Sequence, residues 1–489
     1  MSAAIEVKSK GTGAKICVPV CARTVRELRE EINRASAVAD LIELRLDCLN
    51  AAELDKAGRC LNDLLVSCRQ PVVLTLRSAT EGGQCSLSNL ERHHFWLKHL
   101  APDKHSAAFI DIELDLALLF LEWERAGTLS LDWSRVICSY HDFRGVPADL
   151  EKIYERMART PARVLKIAVT APGSTDAIPL FKLLERAQRE GRELIPVAMG
   201  EPGLVTRILG PSRGAFLTFG SLDATSSTAP GQMTVADLAN LYRIRTIDEQ
   251  TEIIGVIGST LTHSVSPHMH NAAFAALGVN AVYLPFEVND LPQFVQRMAR
   301  PKTREINWQL RGFSITTPHK TAILDELDWI EDSARTIGAV NTVVIKDQLL
   351  LGYNTDAAAA LAPLRNVMDL RGARIALIGA GGAARALLWS LQQEEAQVTV
   401  FSRRPDDVTP IAKRLGAKAE QLADARFDGF DIVINATPLG TRGPLVNQTP
   451  ATAAQLGGVH LACDLVYNPV DTRFLREARM TGCETVWGT

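Results

Sequence analysis

Between residues 16 and 219 the chain repeats one pattern: a short run rich in Val, Ile and Leu, then a longer amphipathic stretch. The runs are Ile16–Val20, Leu41–Leu46, Val72–Leu76, Phe109–Ile112, Val136–Ser139, Val164–Val169, Leu194–Val197 and Ala215–Phe219. Continuous apolar runs of this length suit strands covered on both faces, and the stretches between them suit crossover helices. Eight such units in roughly 250 residues predict an α/β fold, a (β/α)8 barrel whose chemistry gathers at the carboxyl ends of its strands.

Polar residues collect at those ends. Glu43 and Arg45 lie within the second run, Arg77 and Glu81 follow the third, Asp111 and Glu113 sit in or after the fourth, and His141 follows the fifth. Lys166 stands inside the sixth run. Each alone is compatible with a solvated loop, but together they outline one polar mouth. An ammonium packed in a barrel is costly: burial drives a lysine toward its neutral form, and a partly neutral amine beside an imidazole is what imine chemistry on a ketone requires. Lys166 could instead snorkel from an edge strand, and His141 alone could be a barrel-rim histidine. One strand away from Lys166, His141 becomes a candidate base.

At 489 residues the chain exceeds one ordinary core. The expected division is a barrel over 1–245, a polar linker at Thr246–Thr251, a substrate domain over 252–357, and a nucleotide domain over 358–489 whose last segment returns toward the substrate domain. Hydrophobic residues make up 46% and charged residues 22%, as in globular proteins. A net charge of -3 gives no global attraction to nucleic acid or to an anionic membrane, so the expected partners are small molecules, with anions held by local arginines. The nine cysteines include no CxxC pair and no zinc-finger spacing, and read as the reduced thiols of a cytoplasmic protein. The first residues lack the apolar core of a leader, and no stretch approaches the roughly 18 apolar residues of a membrane span, so neither secretion nor anchoring is expected.

A second signature starts at Arg374. Ile375–Ile378 reads as a strand, Gly379-Ala380-Gly381-Gly382-Ala383-Ala384 as a glycine-rich turn, and Arg385 to Leu391 as a helix start. In that context a GxGxxA pattern lets the backbone approach a pyrophosphate, whose charge rests on the helix N-terminus. The next strand ends in Ser402-Arg403-Arg404, where an NAD site would carry Asp or Glu. Arginine offers a planar fork for a 2′-phosphate, so NADP is the expected cofactor.

Four motifs precede that turn: Thr262-His263-Ser264-Val265-Ser266-Pro267, Ser314-Ile315-Thr316-Thr317-Pro318-His319-Lys320, Gly338-Ala339-Val340-Asn341-Thr342 and Gly352-Tyr353-Asn354-Thr355-Asp356. In order and spacing the set resembles shikimate dehydrogenases, from residue 253 to the end. The resemblance implies that Lys320 and Asp356 form a catalytic pair serving the proton transfer that accompanies hydride delivery. It implies too that Ser264, Ser266, Thr316, Asn341 and Asp356 bind the carboxylate and hydroxyls of a ring substrate, that Thr437 and Leu465 touch the cofactor, and that Tyr467 touches the substrate. A lysine polarised by a carboxylate can supply the proton that ketone reduction needs. Asp356 or Thr355 could also simply cap the alanine-rich helix that follows. Three points depart from the family: Ala357 stands where glycine usually follows the aspartate, Ser402 replaces a common asparagine, and the sequence reaches Thr489 before the helix that in relatives brings a glutamine to the substrate.

The first half is similar to type I 3-dehydroquinate dehydratases over residues 15 to about 240. The similarity rests on Glu43-Leu44-Arg45-Leu46-Asp47, Leu76-Arg77-Ser78-Ala79-Thr80-Glu81-Gly82-Gly83, Asp111-Ile112-Glu113, Ser139-Tyr140-His141-Asp142-Phe143, Lys166-Ile167-Ala168 and Ala229-Pro230-Gly231-Gln232. It implies that Lys166 condenses with the substrate ketone, that His141 is the base and later the acid, and that Glu81 orients His141. Arg207, Gln232 and Thr228, the last in place of a usual serine, would hold the carboxylate, and Glu43, Arg45 and Arg77 the hydroxyls. No metal is implied, because the imine is the electron sink. The two resemblances together imply a bifunctional enzyme making 3-dehydroshikimate in the barrel and reducing it to shikimate in the second half. Two other readings use the same residues: a class I aldolase-like barrel joined to a quinate or polyol dehydrogenase, and a quinate-sensing regulator that has lost catalysis.

Overall fold

The computed structural model describes residues 13–99, 109–127, 131–262, 264–423 and 425–487. The amino-terminal residues behind the leader expectation, His263 and Thr489 lie outside these. The described chain forms two compact units, one of residues up to 256 with 260–299 and 303–310, the other of 257–259, 300–302 and 311–489. Among the described residues no helix is long and apolar enough to cross a membrane.

In the first unit the eight apolar runs become β1 (Ile16–Val20), β2 (Leu41–Arg45), β3 (Val72–Thr75), β4 (Phe109–Glu113), β5 (Val136–Asp142), β6 (Val164–Thr170), β7 (Glu193–Met199) and β8 (Thr218–Phe219). They lie side by side in the order β7-β6-β5-β4-β3-β2-β1-β8, and every pair is parallel. Between β7 and β8 the barrel closes through the Phe216 N–H, which donates to the Leu194 carbonyl at 2.9 Å. The fold is therefore the expected α/β barrel. His141 is carried by β5 itself, which runs further than its apolar stretch, whereas β8 is shorter than its run.

Side chains alternate across a strand, so residues two apart share a face. Cys17, Leu41, Val73, Phe109, Ile137, Val164, Ile195 and Leu217 belong to one buried apolar cluster, with one residue from each strand or its approach. Two residues on, toward the carboxyl ends, stand Glu43, Thr75, Asp111, Ser139 and Lys166, all buried. One more step reaches Arg45, Arg77, Glu113 and His141. The barrel thus has an apolar floor with two polar storeys above it.

One expectation is overturned. Cys21 and Cys48 form a disulfide, with Cα atoms 5.5 Å apart, and only the other seven cysteines are free. Their spacing of 27 residues hides the pairing, but β1 and β2 are adjacent and in parallel register, Val20 opposite Leu44, so the segments leaving both strands emerge together.

β9 (Glu252–Gly258) and β10 (Ala281–Glu287) follow the barrel as neighbours, and β11 (Leu310–Ile315), β12 (Trp329–Ile330), β13 (Thr342–Lys346) and β14 (Leu349–Tyr353) lie in the order β11-β13-β14-β12. A further sheet, inside the second unit, contains β15 (Arg374–Ile378), β16 (Gln397–Ser402), β17 (Lys418–Gln421), β18 (Ile432–Asn435), β19 (Leu461–Asp464) and β20 (Glu484–Trp487). Its order is β17-β16-β15-β18-β19-β20, parallel throughout. The order reverses between β15 and β18, the switch point at which such sheets leave a crevice for a dinucleotide.

Candidate active sites

The first site is a cleft of about 520 Å3 at the barrel mouth. Every barrel residue expected at a site lines it: Lys166, His141 and Glu81, then Glu43, Arg45 and Arg77, and finally Arg207, Thr228 and Gln232. Lys166 is 6% exposed. Its Nζ is 3.0 Å from Asp111 Oδ2 and 3.6 Å from Glu43 Oε1, and lies over the Phe219 ring, 4.4 Å from the centroid. The lysine is thus buried yet paired, a point the apolar run concealed.

Asp111 is the hub of this network. It accepts from Ser139 Oγ at 2.6 Å and meets Arg77 Nη2 at 2.7 Å. Burial works against its charge, but Arg77 and Lys166 outweigh burial and hold its carboxyl far below the usual carboxylate range. Arg77 in turn donates to Ser139 Oγ at 2.7 Å and lies 3.4 Å from Glu113. Glu43 accepts from Thr75 Oγ1 at 2.7 Å. Arg45 is gripped by Asp47 through two bonds of 2.8 Å.

His141 Nδ1 is 2.9 Å from Glu81 Oε2, which also accepts the His141 backbone N–H at 3.1 Å. Burial, with Arg77 and Lys166 adding to it, holds the imidazole well below its ordinary value. Burial also pushes Glu81 up to about 8, against the pull of Arg77. Both shifts favour a neutral pair, so the contact is a hydrogen bond between uncharged groups rather than an ion pair. Glu81 Oε2 already accepts the backbone N–H, so it accepts from Nδ1–H as well, and Nε2 keeps its lone pair for a substrate proton.

Arg207 comes from a short helix, Leu204–Leu209, between β7 and β8. It is buried, its Nε has no hydrogen-bond partner among the described residues, and its Nη2 donates to the Pro230 carbonyl at a long 3.4 Å. Burial lowers its guanidinium to about 10, with Glu201 opposing. A buried guanidinium with an unsatisfied N–H suits an anionic ligand. Gln232 Oε1 accepts from the Thr228 N–H at 2.7 Å and from its hydroxyl at 3.2 Å, which folds the loop over this cation. Gly231 has φ +63°, and a Cβ there would fall 2.4 Å from the Gly200 carbonyl, so only glycine lets the loop lie this close.

In the second unit Lys320 donates to Asp356 Oδ2, and Asn341 Nδ2 donates to Asp356 Oδ1 at 2.7 Å. Asp356 does not act as the helix cap. Asn354 Oδ1 accepts the Ala357 N–H at 3.2 Å and takes that place, leaving both Asp356 oxygens to the site. Thr316 stands just past β11, its N–H bonded to the Ile257 carbonyl at 2.9 Å. In the first unit Ser264 Oγ accepts the Ser266 N–H at 3.4 Å, at the start of helix Ser266–Leu277. Tyr467 is 49% exposed and makes no hydrogen bond among the described residues.

The glycine-rich turn follows β15 and leads into helix Gly382–Gln393. Gly379 has φ +124°, and a Cβ there would sit 2.9 Å from the Ala436 carbonyl, while a Cβ on Gly381 would meet nothing within 4 Å. That open backbone at the head of a twelve-residue helix, with Ala380 and Ala383 beside it, fits a pyrophosphate. A Cβ on Gly382 would collide with the Lys320 side chain at 2.7 Å, which puts the lysine stem against the cofactor turn. Thr437 Oγ1 donates to Asn435 Oδ1 at 2.6 Å, and the Leu465 N–H donates to the Asn435 carbonyl at 2.9 Å, so both stand at the far side of the switch point. Ser402 Oγ accepts the Arg404 N–H at 3.2 Å. Arg403 and Arg404 are exposed, Arg404 beside Asp407 at 3.1 Å. The dinucleotide site therefore has its turn, its helix and a cationic end.

Asp111 and Glu113, placed at the mouth by the sequence but given no task there, carry the first network together with Thr75, Ser139 and Asp47, which the sequence did not single out. The period-two sequences Val73-x-Thr75-x-Arg77, Phe109-x-Asp111-x-Glu113 and Ile137-x-Ser139-x-His141 held the signal, since all these residues face inward with Lys166.

A model of type I 3-dehydroquinase matches residues 16–249, one of the shikimate dehydrogenase substrate-binding domain residues 256–343, and one described as NADP oxidoreductase, coenzyme F420-dependent, residues 374–456. A chloroplastic bifunctional 3-dehydroquinate dehydratase/shikimate dehydrogenase of Arabidopsis thaliana is 34% identical over 97% of this chain and 79% of its own. The shikimate biosynthesis protein AroDE of Chlamydia pneumoniae is 29% identical over 86% of this chain and 83% of its own. A shikimate dehydrogenase (NADP(+)) of Thermococcus kodakarensis is 38% identical over 49% of this chain and 86% of its own. Similarity that runs through both halves, each with its own built site, means that the chain belongs to the family of bifunctional 3-dehydroquinate dehydratases/shikimate dehydrogenases.

Proposed function

We propose that the barrel dehydrates 3-dehydroquinate to 3-dehydroshikimate and that the second half reduces this ketone to shikimate with NADPH. In the barrel Lys166 Nζ attacks the ketone carbon, the ketone oxygen leaves as water with two of the three ammonium protons, and an iminium remains. Its positive charge is balanced by Asp111 and Glu43 and faces the Phe219 ring. His141 Nε2 removes the proton from the neighbouring carbon, the iminium takes up the electron pair, and the same imidazole then protonates the departing hydroxyl. Water attacks the conjugated iminium and frees Lys166. Arg207, with Thr228 and Gln232, holds the carboxylate, while Glu43, Arg45 and Arg77 hold hydroxyls.

The observation that carries this reading is Arg207, a buried guanidinium whose Nε has no hydrogen-bond partner among the described residues, in the same cleft as the buried lysine and a histidine held toward its neutral form. A keto acid satisfies all three.

In the second half Gly379–Ala383, Thr437 and Leu465 would hold NADPH, with Ser402, Arg403 and Arg404 toward its 2′-phosphate, and the cofactor would supply a hydride when bound. Lys320 donates the proton to the ketone oxygen, and Asp356, fixed by Asn341, polarises Lys320. Ser264, Ser266, Thr316 and Tyr467 bind the ring's carboxylate and hydroxyls. The reading includes a cytoplasmic location, supported by seven free thiols, and domains at 1–245, 252–357 and 358–489.

Borohydride added to enzyme and 3-dehydroquinate should trap one adduct, and peptide mass mapping should assign it to Lys166. An adduct on another lysine would remove the barrel mechanism.

A further inference from the structure

The disulfide sits at the same end of the barrel as the first site. Cys21 leaves β1 and is exposed, whereas Cys48 ends the turn after β2 and is 6% exposed. The residue before Cys48 is Asp47, whose side chain is fully buried and holds Arg45 through two bonds of 2.8 Å. The same carboxylate accepts the Gln84 N–H at 3.1 Å, and Gln84 Nε2 reaches back to Cys21 Sγ at 3.9 Å. Gln84 closes the turn that begins with Glu81 and Gly82, both lining the cleft. Gly83 in that turn lies so close to Arg77 that a Cβ would fall 2.1 Å from the Arg77 carbonyl. The sulfur pair is therefore joined to the cleft by two short routes, through Asp47 to Arg45 and through Gln84 to Glu81.

We propose that Cys21 and Cys48 are a reversible thiol–disulfide site that sets the position of Arg45 and so governs substrate binding in the barrel. The proposal rests on the dehydratase reading of that cleft. The exchange partner is a dithiol, for which the exposed Cys21 is the accessible sulfur. A thiolate of the dithiol attacks Cys21 Sγ, the bond to Cys48 breaks, and Cys48 leaves as a thiolate that takes up a proton. The second thiolate of the dithiol then attacks the mixed disulfide and releases Cys21, which is protonated in turn. The pair gains two electrons and two protons, and the dithiol becomes a disulfide. Glutathione disulfide reverses the reaction, with two glutathione thiols as products. Oxidised, the crosslink ties the turn after β2 to the end of β1 and holds Asp47 under Arg45. Reduced, the turn loses that tether, and Arg45 is less well positioned for a substrate hydroxyl. Asp47 is thus a positioning residue, and the sulfur pair acts through it.

The test uses the full chain equilibrated with glutathione disulfide or with dithiothreitol. Alkylation and mass measurement should count seven free thiols in the oxidised protein and nine in the reduced one. The KM for 3-dehydroquinate should rise about fivefold on reduction, with kcat changed less, and shikimate oxidation by the second half should stay constant. Cys21→Ser, at the exposed position, and Cys48→Ser should both show the reduced KM in either buffer, so one well-folded variant suffices. Nine free thiols after oxidation would overturn the proposal. So would equal KM values in the two states, which would make the disulfide a plain crosslink, or a parallel change in both activities, which would make its effect global. Absence of dehydration in both states would count against the dehydratase reading instead, and the affinity of the cleft for quinate in each redox state would then decide on the latch.

Discussion

Glu81 shows how burial can assign a protonation state that residue type does not. It is held near 8 while its partner His141 is held well below its usual range, so at neutral pH the pair is uncharged with one hydrogen bond between them. The base form of His141 is favoured by the shift, and dehydration should therefore persist into mildly acidic solution, where an ordinary histidine would be protonated. On the alkaline side Glu81 loses its proton near pH 8, placing a new negative charge beside the imidazole, and kcat/KM for dehydration should break there. Glu81→Gln keeps the acceptor oxygen and removes the ionisation. Its profile should lack that break while its rate at pH 7 falls by less than about tenfold, and pH–rate profiles of the two proteins check both statements.

Among the elements, the barrel strands set what faces the substrate, and the helices outside them set what holds the barrel to the segment that follows. Lys182, on helix Ile178–Arg189, and Arg297 both pair with Glu305, and Ser174 Oγ donates to the Glu287 carbonyl at 2.8 Å, all within the first unit. Arg297 and Lys182 draw Glu305 from its ordinary 4.5 to about 2. Because the folded value lies below the unfolded one, the pairing stabilises the protein above the usual carboxylate range, and its contribution is lost as pH falls from about 4.5 toward 2. Partial exposure screens the cluster, so Glu305→Gln should cost about 1 kcal/mol at pH 7. Denaturant titrations of both proteins should show this difference shrinking to nothing as the pH approaches 2.

For the molecule as a whole, each half keeps its own lysine, in its own compact unit with its own carboxylate partner. Lys166→Met should abolish formation of 3-dehydroshikimate, falling by about 1000-fold or more, and leave shikimate oxidation within about twofold of the parent. Asp356→Asn should do the reverse, with dehydration unchanged and reduction lowered about 100-fold. Separate assays of the two half-reactions on each variant check this, and loss of both activities from either substitution would contradict it.

The sequence by itself determined the strands, their inward faces and most of the chemistry those faces carry. Period-two alternation is a local property, so Phe109, Asp111 and Glu113 share a face wherever their strand lies, and a glycine-rich turn between strand and helix is equally local. The short motifs likewise mark Lys320, Asp356, Lys166 and His141 by neighbours within a few residues. Only the tertiary structure decided that Asp111 pairs with Lys166 across 55 residues, that Glu81 reaches His141 across 60, and that Cys21 meets Cys48 across 27. It also showed that Asn354, not Asp356, caps its helix and frees the aspartate for Lys320. Those contacts depend on strand order and register around a closed barrel and on which loops emerge at one end, and no short window of sequence contains either.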